Sequence, residues 1–158
     1  MKILIRKYAP LACVVLLMIC CLCACTSHSS KSYTWKVETG DQVKVELDTT
    51  ESDYDIKPDG SNFIVSKGDQ AILQGCFIYR EAYDEYVQAA KTDEAATIIE
   101  ETDNQLIYRY DDEDDSEYDC IVYINEKTCA LVGSLADANV TEAIVRDALS
   151  RLTFTAEH

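Results

Sequence analysis

Thiols, carboxylates and imidazoles are the side chains through which this sequence could do chemistry, and their placement narrows the choices quickly. His28 sits in the small polar stretch Thr26 to Ser32, and His158 stands at the far end of the sequence. The body of the chain therefore offers no imidazole base for a Ser-His-Asp or Cys-His arrangement. Of eight cysteines, five fall at positions 13, 20, 21, 23 and 25, which leaves Cys76, Cys120 and Cys129 further along. Those three lack the near-neighbour spacing of a zinc site. They lie in apolar, strand-like surroundings, where a thiol behaves as a small hydrophobe, and three thiols admit at most one disulfide. The 29 aspartates and glutamates could supply acid and base pairs, yet among so many no pair stands out by spacing. The densest run, Asp111-Asp112-Glu113-Asp114-Asp115-Ser116-Glu117, invites a calcium reading with Asp111, Glu113 and Asp115 as ligands. It lacks the glycine and the distal glutamate of an EF-hand loop, and a solvated hairpin tip that discourages sheet stacking is the plainer reading. The five glycines are scattered and form no phosphate-cradling loop. The sequence thus predicts no catalytic residue and no cofactor.

The remaining thiol chemistry is at Cys25. Lys2, Arg6 and Lys7 make a basic start, and Leu11 to Leu22 is a charge-free apolar run of twelve residues. That is the anatomy of a secretory signal. Leu22-Cys23-Ala24-Cys25 then resembles the lipobox of bacterial lipoproteins: a branched residue three before the cysteine, small residues between, and a thiol that is acylated before cleavage. The resemblance implies a signal peptide over 1–24, with Cys25 as lipid acceptor and mature N-terminus, and a domain held outside the cell membrane. The alternative is an uncleaved membrane helix, since Tyr8 to Cys25 spans eighteen residues and a bilayer needs roughly 17–25; Pro10 shortens it. Each buried acyl methylene contributes about 0.8 kcal/mol, so two or more chains hold a protein stably.

Without 1–24 the chain has 134 residues, enough for one domain with a sizeable core. Three of the 14 basic residues leave with the signal, so 11 face 29 acids. Such a surface repels phosphate backbones, which excludes nucleic acid as a partner and favours cations or basic proteins.

The elements follow from periodicity. Residues 25–32 read as a polar tether and 33–158 as a single acidic domain. Strands are expected at Tyr33 to Glu38 and Gln42 to Asp48 around Thr39-Gly40-Asp41, with Val43, Val45 and Leu47 on a buried face. Glu51 to Gly60, with Pro58, reads as a loop or ragged edge. A strand at Asn62 to Ser66 leads to Ala71 to Tyr79, whose two apolar faces mark a central strand. There Ile72, Cys76 and Ile78 point one way, Leu73, Phe77 and Tyr79 the other, and Gly75 marks a bulge or a close approach. Tyr83, Tyr86, Val87 and Ala90 form the core stripe of a helix over Glu81 to Lys91. Strands follow at Ala95 to Glu100, Gln105 to Tyr110, Tyr118 to Ile124 and Thr128 to Leu135. Asn139 as N-cap, with Glu142 three residues on, opens a second helix reaching Arg151 with the stripe Val140, Ile144, Ala148 and Leu149. Leu152 to Thr155 ends as a strand or a packed tail. Trp35 is expected in the core. Asn139-Val140-Thr141 also matches a glycosylation sequon, which a bacterial exporter leaves unused.

The expected class is α+β: an antiparallel-rich sheet of six to nine strands with a mid-chain and a C-terminal helix, both sheet faces at least partly covered. This layout over residues 33–156 resembles the PsbP-like α/β/α sandwich of small exported lipoproteins. That resemblance implies a binding or assembly scaffold and transfers no functional residue. The sequence thus points to a lipid-anchored, non-catalytic binding or accessory module of the cell envelope. Its expected partners are the membrane, through Cys25, and an envelope protein or small ligand. Two alternatives stand beside it: an exported carboxylate-dependent hydrolase or inhibitor-like factor, and a calcium-dependent adhesion module.

Overall fold

The computed structural model describes residues 28–111, 116–136 and 140–157. Ten strands and two helices run in the order β1 (Ser30–Lys36), β2 (Gln42–Asp48), β3 (Tyr54–Asp59), β4 (Asn62–Lys67), β5 (Gln70–Tyr79), α1 (Arg80–Thr92), β6 (Ala96–Glu101), β7 (Gln105–Asp111), β8 (Ser116–Tyr123), β9 (Thr128–Ser134), α2 (Glu142–Ser150) and β10 (Leu152–Glu157). The described residues are mostly antiparallel β-sheet with two helices. Instead of one sheet of six to nine strands there are two, a three-stranded sheet in the order β1-β2-β10 and a seven-stranded one in the order β3-β4-β5-β9-β8-β7-β6. Every pairing is antiparallel.

The small sheet forms because β2 has a partner on each side. Its inward residues Val43, Val45 and Leu47 are all 0% exposed, and each such burial contributes about 1.5–3 kcal/mol. The C-terminal residues 152–157 close on β2 with Leu152 opposite Leu47 and Phe154 opposite Val45. The first strand starts at Ser30, three residues before the expected Tyr33, because Ser29 is already tied down. Its amide donates to Thr50 Oγ1 at 2.9 Å, and its carbonyl accepts from the Thr49 amide at 2.8 Å.

The segment expected to be a loop, Glu51 to Gly60, contains β3. Tyr54 and Ile56 are buried there, and Pro58 is tolerated because β3 is an edge strand. In β5 a register shift opposite Val65 and Ser66 makes Ile72 an extra residue. Ile72 therefore joins Leu73 in the inner core, rather than sharing a side with Cys76 and Ile78 as strict alternation implied.

The inner face of the large sheet packs on the small sheet and α2. Phe63 is fully buried at its centre, with Trp35, Phe77 and Phe154 ring centroids 5.8, 5.9 and 6.0 Å away. Trp35 is in this core, as expected, and its Nε1–H donates to the Asn62 carbonyl at 3.2 Å. Helix α2 reaches both ends of the large sheet: Tyr54 Oη, on β3, donates to the Ile144 carbonyl at 3.4 Å, and Arg146 pairs with Glu100, on β6, at 2.6 Å. Its N-cap is Thr141, whose side chain accepts from the Ile144 amide at 3.4 Å, and not Asn139, which lies outside the described residues. Val145, absent from the expected stripe, is buried with Ala148 and Leu149.

Helix α1 packs on the opposite, outer face. Ala90, with Tyr83 and Val87, covers Leu106, Tyr108, Ile121 and Leu131. Tyr86 does not belong to this stripe; it is 41% exposed. The contact residues follow the i, i+4, i+7 spacing, which turns Tyr86 past the sheet. Among the described residues no helix is long and apolar enough to cross a membrane.

Candidate functional site

The outer face of the seven-stranded sheet is roofed by α1 only in part. The helix covers the sheet out to Leu131 on β9. Beyond it the floor, built from β5, β8 and β9, opens into a groove of about 280 Å³ lined by Gln74, Cys76, Leu131, Gly133, Glu117 and Asp119, among others.

Strand register assembles this site. Tyr108 on β7 stands opposite Asp119 on β8, Asp119 opposite Gly133 on β9, and Gly133 opposite Gln74 on β5. All four therefore lie in one row on one face. The row works sterically because one member lacks a side chain. A Cβ built on Gly133 would lie 2.7 Å from Asp119 Oδ1, so the carboxyl group leans across the glycine and lies over the sheet. From the other side the side chain of Tyr108, itself buried, stands beside Asp119 from the paired strand.

That environment retunes Asp119. Burial first, and the neighbouring Glu117 charge second, push its pKa up to about 6, while the Tyr108 hydroxyl acts in the opposite direction. None of these influences is a cation. Burial, followed by the charge of Asp119, drives the Tyr108 phenol far upward, so its hydroxyl stays a donor at every physiological pH. Burial also raises Cys76, which keeps this half-buried thiol protonated and weakly nucleophilic. The nearby Ser134 hydroxyl is occupied, accepting from the Tyr118 amide at 2.9 Å. The groove can thus accept hydrogen bonds through a carboxyl group and donate or accept through the Gln74 amide, with Leu131 as apolar wall.

The residues singled out from sequence do not meet here, Cys76 excepted. Cys25, Glu113, Asp115 and His158 lie outside the described residues. Asp111 ends β7, where Arg109 engages its carboxylate at 2.7 and 2.8 Å and Ser116 Oγ donates to it at 3.0 Å. Among the described residues no group of three or more His, Cys, Asp or Glu is placed to hold a metal ion. Cys120 and Cys129 are buried, and all three domain cysteines are free thiols. Burial drives the Cys120 thiol strongly upward and raises Cys129 as well. His28 is exposed near the end of β2, with Thr50 Oγ1 at 3.4 Å and Asp48 at 4.0 Å from its Nδ1.

Sequence reasoning missed Asp119, Tyr108 and Gly133 as a group. A signal was present: in β8 the residues alternate, and Asp119 shares the side of Ile121 and Tyr123. A carboxylate that follows Glu117 on this face and directly precedes the apolar pair Ile121 and Tyr123 is the anomaly worth pursuing. Comparisons with protein-family models, with curated proteins and with solved structures find no match to this chain.

Proposed function

We propose that this chain is an exported lipoprotein, anchored through acylated Cys25 on the outer side of the cell membrane, whose domain is a non-catalytic binding module with the partly roofed groove as its ligand seat. The observation that carries the binding half is the Asp119–Gly133 pair: a half-buried carboxyl group, without a cation beside it, laid over a glycine at the floor of an open groove. Concave sites with a few converging polar groups on an apolar wall are where small ligands bind. The protonated Cys76 and the occupied Ser134 support binding over nucleophilic chemistry. A PsbP-like layering fits the same scaffold role. In this chain the inner face would be closed by a small sheet as well as a helix.

A hydrolase is the second reading, and it draws on the same carboxyl group, because an acid poised near 6 is suited to proton transfer. The two separate on the second carboxylate: Glu117 is exposed at the groove rim, so water around it weakens any paired acid–base action.

The anchor is tested by the intact mass of the protein extracted from membranes, wild type beside Cys25→Ala. The expected wild-type mass starts at an acylated Cys25 and is absent from the variant. A wild-type mass retaining residues 1–24 overturns the anchor in favour of an uncleaved membrane helix.

A further inference from the structure

Resting on the groove as ligand seat, we propose that its ligand presents an alkylammonium group, with the ammonium set between Asp119 and Glu117 and its methylenes along Leu131 and Cys76. The shape of the groove supplies the first argument. At about 280 Å³ it has room for a linear chain ending in one polar head, and the carboxyl lying on Gly133 is one of the polar groups that line it.

Charge supplies the second. A half-buried carboxylate is costly to ionise unless a cation faces it. Among the described residues, the titratable groups that interact with Asp119 are Glu117 and Cys120 on its own strand and Tyr108 and Tyr110 on β7, with Cys76 of β5 in the same groove lining. These are acids without exception. At neutral pH the floor therefore holds one carboxylate with a second at the rim, and an incoming cation gains from both. A divalent metal is the poorer fit, since it requires more oxygen ligands than two carboxylates provide, and the described residues place no third acid with them. An ammonium needs fewer contacts. It donates three hydrogen bonds, and the groove offers acceptors in Asp119, Glu117 and the Gln74 amide oxygen. The chain's acidic surface, 29 acids against 14 basic residues, adds long-range attraction for such a ligand.

Cys76 provides the readout, because it lines the groove while Cys120 and Cys129 are buried. The rate at which N-ethylmaleimide modifies Cys76 is followed by peptide mass at pH 7.5, on the full-length protein purified from membranes in detergent. Probes are n-butylammonium, 1,4-diaminobutane, N-acetyl-lysine methylamide, n-butanol and calcium chloride. The expected result is roughly threefold slowing at a butylammonium concentration twice its Kd, none with butanol, and loss of protection in Asp119→Asn. Stronger protection by acetyl-lysine amide than by diaminobutane identifies a lysine side chain of a protein partner as the source, and the reverse order identifies a free polyamine. Equal protection by butanol, or protection that survives Asp119→Asn, overturns the ammonium assignment while leaving the groove as a ligand seat. Selective protection by calcium overturns it in favour of a metal. If no probe slows Cys76 and Gly133→Ala leaves its rate unchanged, the groove reading itself fails.

Discussion

The two faces of the seven-stranded sheet are built from the same strands and end up as different materials. The inner face is closed by a second sheet and a helix, and its residues fill space: Phe63, Val65, Leu73 and Val132 are 0–1% exposed. On the outer face one thirteen-residue helix covers only the β6–β9 side, and Gln74, Cys76 and Asp119 stay half exposed. Two glycines, on neighbouring paired strands, show the contrast at its sharpest. Gly75 on β5 gives up its side chain so that the tip of the Phe63 ring can press against the sheet from within. Gly133 on β9 gives up its side chain so that the Asp119 carboxyl can lie on the sheet from without. One vacancy is filled by carbon and serves stability. The other is filled by an ionisable group, and stability alone would not select that arrangement.

The largest effect is expected at the inner glycine. In Gly75→Ala the new Cβ falls inside the envelope of the Phe63 ring, which Trp35, Phe77 and Phe154 hold from the other sides. Overpacking a site with no escape costs about 3 kcal/mol, enough to lower Tm by about ten degrees in a domain of this size. Because the cause is one ring, the double variant Gly75→Ala with Phe63→Leu should lose less than the two single changes summed. Strict additivity in denaturant unfolding would show that the ring is not the obstacle.

A smaller effect of opposite sign is expected outside. Asp119 has its pKa raised to about 6 in the fold, against an ordinary value near 4 in the unfolded chain. The native state then binds the proton more tightly. The stability tied to Asp119 is complete below about pH 4, is lost as pH rises to about 6, and stays lost above that. Asn mimics the neutral acid. Two pKa units set a ceiling of roughly 3 kcal/mol, and partial exposure reduces it. Asp119→Asn should therefore be more stable than wild type by about 1–2 kcal/mol at pH 7 and equal to it at pH 3.5. A variant that is less stable at pH 7 would mean that the carboxylate is held by favourable contacts and that the outer face is as settled as the inner one.

The packed parts of both faces were readable from sequence and the open groove was not, for a physical reason. Val43, Val45 and Leu47 announce a buried side by alternation alone, and Gly75 in an apolar strand announces a close approach, which proves to be Phe63. Burial leaves a periodic trace because water removes every second residue from choice. The β3 strand stayed hidden because its stabilisation comes from pairing with β4 across Tyr54 and Ile56, while Pro58 and its acidic neighbours argued locally for a loop. That the small sheet closes through β10 depends on a contact between residues more than a hundred positions apart, and no local pattern encodes it. The groove was least legible. Tyr108, Asp119, Gly133 and Gln74 come from four strands and share a row only through three registers. Among 29 acids, one becomes unusual only when its neighbours are known.

The smallest effect on the fold, and the most informative about the groove, is expected for Gly133→Ala. The added Cβ would stand 2.7 Å from Asp119 Oδ1 and 3.9 Å from Cγ, so the carboxyl group must move. It is the end of a flexible side chain on an open face, and it can swing toward solvent at little cost. The unfolded chain also loses some freedom when glycine becomes alanine, worth about 0.4–1 kcal/mol in favour of the fold. The two terms offset, and stability at pH 7 should change by less than about 1 kcal/mol, in contrast to the same substitution at Gly75. The pH dependence should change instead. A carboxyl group turned into water returns toward its ordinary pKa, so the loss of stability between about pH 4 and 6 seen in wild type should flatten in the variant. If Gly133→Ala keeps the wild-type slope, the burial of Asp119 comes from Tyr108 and the flank of α1 and not from the gap at Gly133, and the two glycines would cease to be counterparts.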